Sequence, residues 1–248
     1  MPRELGFFAD EAQEDLCFFT VPQLLMAWTA YREGQITLKD FRVYFALAET
    51  LAQSRPRGVA RGKAIPKFSA QELRELIGGE DGELSAVRKL LAVGLLRDAS
   101  KSTMEFATVA SELRFVPETL DATLARISNY RQKLVVPVPR RILRLMASSG
   151  ARRTLIATIL GHLLRCFKRG ESQPKGCVKA SWIAQVFGVS ARGVKGQRHR
   201  LVALGWLIPQ GTCQQILNLY GRSLAINLAW DGPITASTKE TFDHPMVS

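Results

Sequence analysis

Residues 179–206 read KASWIAQVFGVSARGVKGQRHRLVALGW, two short helical patterns separated by a turn. Trp182, Ile183, Val186 and Phe187 recur at helical spacing and make one apolar face. Gly188 and Val189 break the pattern, and Ser190 brings the side-chain oxygen with which an N-cap accepts from an orphan backbone N–H. The second helix therefore starts at Ala191. At about 100° per residue, Val194, Gln197, Leu201 and Leu204 share its inner face. Arg192, Lys195, Gly196 and His199 lie opposite, flanked by Arg198 and Arg200. Gly205 fits the position just past the helix end, and Trp206, Leu207 and Ile208 read as a strand stopped by Pro209. Ser223 to Trp230 supplies a returning strand, with Gly211, Gly221 and Arg222 in the loop between. The order is a helix-turn-helix followed by a two-stranded wing.

Upstream, Ala151 to Phe167 places Leu155, Ile159, Leu163 and Cys166 at helical spacing and supplies a helix to pack behind the other two. Gly161 weakens that helix slightly, and His162 near its apolar face reads as a core or boundary histidine. Arg152 and Arg153 fall in its first turn, where cations oppose the helix dipole; a phosphate partner or a solvated end explains them equally well. The first half repeats the plan more loosely. Thr37 to Leu51 has a buried face of Phe41, Tyr44, Phe45, Ala48 and Leu51, and Ser69 with Glu72 forms a capping box opening a helix to Ile77. Gly78, Gly79 and Gly82 turn the chain, a helix runs from Glu83 to Val93, and Leu95–Arg97 with Met104–Ala107 suggest a hairpin. This second helix begins among Glu80, Asp81 and Glu83, which phosphates would repel, and has only Arg88 and Lys89 as cations. Pro117 to Lys133 reads as a linking helix, and the prolines of Val135–Pro139 keep that segment extended. The apolar stretch Leu16–Tyr31 packs on the first domain or forms a dimer face.

The charge is divided as sharply as the pattern. The 248 residues carry a net +12. Residues 1–121 hold 15 basic and 18 acidic groups, net −3, whereas residues 122–230 hold 18 basic groups and the single acid Glu171, net +17; residues 231–248 are −2. A segment with one carboxylate cannot cover itself with balanced ion pairs and repels itself unless a polyanion is present. Nucleic acid is the expected partner, because each phosphate contact releases condensed counterions. An anionic membrane fits less well, as there is no Lys-rich amphipathic helix or lipidation signal, and no stretch is apolar for the ~20 residues a spanning helix needs. Metal-dependent nucleases and polymerases gather several carboxylates around their ions, and the basic half has one. The stretch Gly58–Lys63 lacks the spacing and the Ser or Thr of a phosphate loop, and reads as part of a basic loop that holds Arg55, Arg57, Arg61, Lys63 and Lys67. Cys17, Cys166, Cys177 and Cys213 form no CxxC pair, match no zinc spacing and read as reduced, small buried side chains. No catalytic residue, metal or cofactor is expected. The acidic start, with Glu4, Asp10, Glu11, Glu14 and Asp15, is unlike a signal peptide, so the expected location is cytoplasmic, on the nucleoid.

Two such units joined by a helix, the second strongly basic and the first not, resemble the tandem winged-helix replication initiators of plasmids and mobile elements. The resemblance covers roughly residues 37–230, is architectural, and rests on the helix-turn-helix of 181–204. It implies that one domain mediates dimer contacts while the other reads repeated origin sequences. The expected fold is mainly α with small β-wings (α+β), two winged-helix domains joined by a linking helix. An N-terminal interaction or dimerisation domain spans 1–115, the linking helix and extended linker 116–138, the basic DNA-binding domain 139–231, and a flexible tail 232–248. The expected function is sequence-specific recognition of double-stranded DNA, by a replication initiator or a transcriptional regulator, through helix 190–204 in a major groove. Arg192 and Lys195 would face base edges, and Lys179, Ser181, Arg198, Arg200 and Arg222 would hold phosphates. Gly196 and His199 complete the face, Arg152 and Arg153 add to it, and Arg55, Arg57, Arg61 and Lys63 offer secondary contacts. The alternative is a subunit of a larger nucleoprotein complex, gripping DNA or RNA mainly by backbone and shape, with its acidic domain docked on protein partners.

Overall fold

A computed structural model describes residues 16–53, 70–77, 82–98, 113–115, 135–167 and 174–233. The chain is mixed α+β. Strand β1 (Leu16–Thr20) leads into helices α1 (Val21–Arg32), α2 (Leu38–Gln53), α3 (Ala70–Leu76) and α4 (Glu83–Ala92), followed by β2 (Leu96–Asp98) and β3 (Leu113–Phe115). The second half runs β4 (Val135–Pro139), α5 (Arg140–Ala147), α6 (Arg153–Cys166), β5 (Lys175–Val178), α7 (Ala180–Phe187), α8 (Ala191–Ala203), β6 (Leu207–Pro209), α9 (Gln214–Tyr220) and β7 (Arg222–Ile226). The strands make three small antiparallel sheets among the described residues, β1–β4, β2–β3 and β5–β7–β6.

Local sequence explains the helix starts. Before α2, Thr37 Oγ1 accepts from the Asp40 N–H at 3.2 Å while Asp40 Oδ2 accepts from the Thr37 N–H at 2.7 Å, a reciprocal cap in which Asp takes the place of Glu. Lys89 of α4 stands 3.2 Å from the same carboxylate and ties α4 to that cap. Phe41, Tyr44, Phe45 and Ala48 are buried as the spacing predicts. The segment 135–139 is extended, as its prolines require, and is strand β4, paired with β1 from Leu16↔Pro139 to Thr20↔Val135. Among the described residues each strand of this pair has one hydrogen-bonded neighbour, and such an edge position tolerates Pro137 and Pro139. Strand β2 pairs with 113–115; the expected partner 104–107, the linking helix 117–133, Glu80, Asp81 and the basic loop 55–67 lie outside the described residues.

The buried side chains form one cluster running from Cys17 to Trp230, shared by both halves. From the segment 16–31, Cys17, Phe19, Val21, Leu24, Leu25 and Trp28 belong to it, with Tyr31 packed against it. Trp28 meets Phe41 of α2 edge-on at 5.6 Å and Phe187 of α7 at 5.1 Å, so one ring joins the first half to the second. Helix α6 lies at the centre, buried on every side from Leu155 to Leu164, which is more than the single apolar face read from its spacing. Gly161 is there for contact: a Cβ would lie 2.6 Å from Ile183 Cγ1, so the missing side chain lets α7 approach α6.

Helix α5 locks onto α2 through charge. Glu49, fully buried, accepts on Oε1 from Arg140 Nη2 at 3.1 Å and from Arg144 Nε at 2.9 Å. Arg42 of α2 reaches back to the Ser148 carbonyl at 3.3 Å. Removing the carboxylate takes the counter-charge from two partly buried guanidinium groups. Glu49→Ala is expected to cost about 3 kcal/mol of stability, read as a lower urea midpoint with an unchanged m-value.

His162 is wholly buried, and among the described residues neither ring nitrogen has a hydrogen-bond partner. Burial first, and the charge of Arg198 second, hold its pKa down from 6.5 to about 3. The folded state keeps the ring neutral between those values while the unfolded chain takes up a proton, so stability falls as the pH drops from 6.5 towards 3. His162→Leu is expected to remove this part of the acid sensitivity, seen as a shallower loss of thermal midpoint between pH 6.5 and pH 4 than in the wild-type chain.

Candidate nucleic-acid interface

The turn between α7 and α8 is built by three residues. Gly188 takes a left-handed φ of 62° that a side chain would strain. Val189 N–H returns to the Ala184 carbonyl at 3.1 Å. Ser190 caps α8, its hydroxyl accepting from the Gly193 N–H at 3.3 Å. Arg153 of α6 donates to the Gly188 carbonyl at 2.6 Å, where a cation at the end of α7 favours the helix dipole.

Helix α8 has the two faces its sequence dictates. Val194 and Leu201 are fully buried, and Leu204 packs against the core. Arg192, Lys195, Gly196 and His199 are exposed together on the opposite side, with Arg200 half-buried beside them. Beyond the helix, Gly205 reverses the chain, Trp206 is fully buried and β6 pairs with β7. Trp230 donates from Nε1 to the Leu204 carbonyl at 2.7 Å and fastens the end of this unit to α8.

Elements not read from the sequence include, besides β1, β3 and α5, two beside this turn, β5 and α9. Strand β5 pairs with β7 from Lys175↔Ala225 to Val178↔Arg222, making the sheet three-stranded. The segment between β6 and β7 is not a plain loop, since it contains helix α9, whose Ile216, Leu219 and Tyr220 have helical spacing. Gly221 ends α9 at φ 89°, and a Cβ there would stand 2.7 Å from the Val178 carbonyl oxygen.

Arg198, expected to hold a phosphate, faces inward. Its Nη2 donates to the Val178 carbonyl at 3.0 Å, which pins α8 to β5. Burial first, and the neighbouring Arg222 second, lower its pKa, and as an arginine it remains a cation at neutral pH. Other cations of the basic half are also engaged within the fold. Arg140 and Arg144 meet Glu49, Arg141 donates to the Asp231 carbonyl at 2.7 Å, and Arg165 stacks over Trp182 at 4.1 Å. Those that stand exposed include Arg152, Lys175, Lys179, Arg192, Lys195 and Arg222, together with the hydroxyl-bearing Ser181. The described part of 135–230 contains no carboxylate. Such a surface offers cations and hydrogen-bond donors to an anion.

In the first half the described acids Asp40, Glu49 and Glu83 are engaged in ion pairs within the fold. Glu83 is buried and accepts from Arg74 at 2.9 Å. Burial works to raise its pKa, but the backbone N–H groups at the start of α4 and the Arg74 guanidinium outweigh it and lower the value. Arg88 is exposed and Lys89 is paired with Asp40. Cys17 and Cys166 are buried as expected, whereas Cys213 is exposed at the start of α9. Among the described residues no three His, Cys, Asp or Glu side chains are grouped to hold a metal, and no helix is long and apolar enough to cross a membrane.

Nothing lies within 4 Å of where a Gly196 Cβ would be, so the space is open on the outer face of α8. Gly196→Ala is expected to raise stability by about 0.5–1 kcal/mol, measured as a higher midpoint in thermal unfolding. No protein-family model matches the sequence, and comparison with curated proteins and with solved structures gave no match.

Proposed function

We propose that the chain is a sequence-specific double-stranded-DNA-binding protein of the replication-initiator or transcriptional-regulator type, acting by binding and not by chemistry. The supporting observation is the outward face of α8, where Arg192, Lys195, Gly196 and His199 stand exposed on a capped helix in a stretch, 135–230, without a described carboxylate. On this reading α6, β5, α7, α8, β6 and β7 form a winged-helix unit, and α2, α3, α4, β2 and β3 form a looser second one. Helix α8 enters the major groove with its N-terminal residues leading. Arg192 and Lys195 reach base edges, where a guanidinium or ammonium suits guanine O6 and N7. Lys179, Ser181, Arg200 and Arg222 hold phosphates and fix the register, helped by Arg152 at the start of α6. Arg198 positions α8 on β5 through the Val178 carbonyl. The first unit, with Asp40 and Glu83 paired internally, serves dimer or partner contacts. In a cell this places the chain on the nucleoid.

The division between base and phosphate contacts is testable. Arg192→Ala is expected to cost about 1–3 kcal/mol on the preferred site and to relax base preference. Arg222→Ala is expected to weaken all duplexes alike and to lower the salt slope by about one. Anisotropy titrations on preferred and random duplexes at several salt concentrations measure both. Equal losses on both duplexes for both variants would contradict the assignment.

A further inference from the structure

The large hydrophobic side chains that stand exposed are not scattered. Among the described residues they are Ile208 at 44% in β6, and Ile216 at 41%, Leu217 at 37%, Leu219 at 56% and Tyr220 at 62% in the segment joining β6 to β7. Helix α9 carries four of them, has no charged residue, and fills its other positions with the amides Gln214, Gln215 and Asn218. Gln214 Nε2 donates to Asn218 Oδ1 at 2.9 Å. The apolar end of α9 is tied to the basic surface. Gly221, directly after Tyr220, packs on the Val178–Lys179 peptide, and Arg198 of α8 donates to the Val178 carbonyl at 3.0 Å. Lys179 and Arg222, each next in the chain to a residue of that contact, stand exposed. One peptide unit thus links the outer helix α8, a pair of cations and the apolar tip.

We propose that the tip of α9, Leu219 and Tyr220 above all, is a wedge that enters the minor groove of duplex DNA and partly unstacks a base step. This deepens the DNA-binding reading above and rests on it. Charge selects the occupant. An apolar patch bordered by Lys179 and Arg222 repels a second copy of the same basic surface. It fits a partner that is anionic at its edges and apolar between them, as stacked bases between two phosphate backbones are. The amides suit the same place, because Asn, Gln and Arg hydrogen-bond in the minor groove while apolar side chains insert between steps and kink the duplex. A minor groove about 6 Å wide cannot admit a helix body about 10 Å across. Only side chains at the tip enter, and they require the groove to open.

The test uses the full chain on its selected duplex, end-labelled to report bending by energy transfer and carrying 2-aminopurine at successive steps beside the site. The wild-type chain is expected to shorten the end-to-end distance and to raise fluorescence several-fold at one step. The double variant Leu219→Ser, Tyr220→Ser, in which both exposed side chains are replaced by polar ones, is expected to keep its thermal midpoint. It should abolish the bend and the fluorescence rise, and bind roughly tenfold to a hundredfold more weakly. Arg192→Ala complexes are expected to remain bent. Binding by the wild-type chain without bending or unstacking, or a double variant that bends as the wild-type does, overturns the wedge and leaves the DNA-binding reading standing. Failure of the wild-type chain to bind any duplex overturns that reading and the wedge with it. Two further results assign the patch to another occupant and overturn the wedge: a wild-type dimer in sedimentation that the double variant lacks, and wild-type binding to phosphatidylserine vesicles that the variant loses.

Discussion

The buried carboxylate of Glu49 holds the two halves of the chain in register. It sits on α2, in the half with excess acid, and grips Arg140 and Arg144 of α5 at the entrance to the basic half. A buried ion pair adds little net stability over well-packed apolar groups, but it penalises every arrangement that leaves one of its charges unpaired. Here that selectivity acts on orientation. Helix α5 leads into α6, which is buried on all sides and forms the floor on which α7 and α8 lie. The β1–β4 ladder and the contact of Trp28 with Phe187 reinforce the same alignment. The outer face of α8 is therefore positioned by contacts that begin more than a hundred residues earlier.

The positive charge of the second half has two distinct uses. One set of arginines works inside the fold, on the Glu49 carboxylate, on backbone carbonyls at Gly188, Val178 and Asp231, and on the Trp182 ring. Guanidinium suits these places because its planar fork meets an oxygen or a ring while its stem packs on apolar surface. The other set stands exposed along α8 and beside β5 and β7. A net charge of +17 over 122–230 therefore overstates the number of cations available to a polyanion. Their arrangement on one capped helix carries more meaning than their number.

What could be read from the sequence was what local chemistry determines. Ser190 as a cap, Gly188 as a turn, the inner row of Val194 and Leu201 and the outer row of Arg192, Lys195, Gly196 and His199 all follow from spacing within one helix-turn-helix. Residues whose partners lie far along the chain were misread or missed. Arg198 falls beside the outer face by angle, yet its partner is a carbonyl on β5. Glu49 looks like a solvated position in an apolar helix, because its arginines lie 91 and 95 residues away. Gly161 looks like a weak point in a helix until Ile183 is found against it. Strand β5 is four residues long and gains its identity from β7, nearly fifty residues later. Helix α9 was legible in the spacing of Ile216, Leu219 and Tyr220, but the flanking glycines suggested a loop.

The claim that joins these observations is that α8 reads base sequence in duplex DNA, with the surrounding cations holding the backbone. Selection of bound duplexes from a random pool, followed by titration of the winner and a scrambled control across salt concentrations, tests it directly. The account predicts a repeated or palindromic site bound at least about a thousandfold more tightly than the control, with the preference persisting as salt rises. No enriched sequence, and affinities for both duplexes that fall together with salt, would contradict it and leave the basic half as a general grip for polyanions.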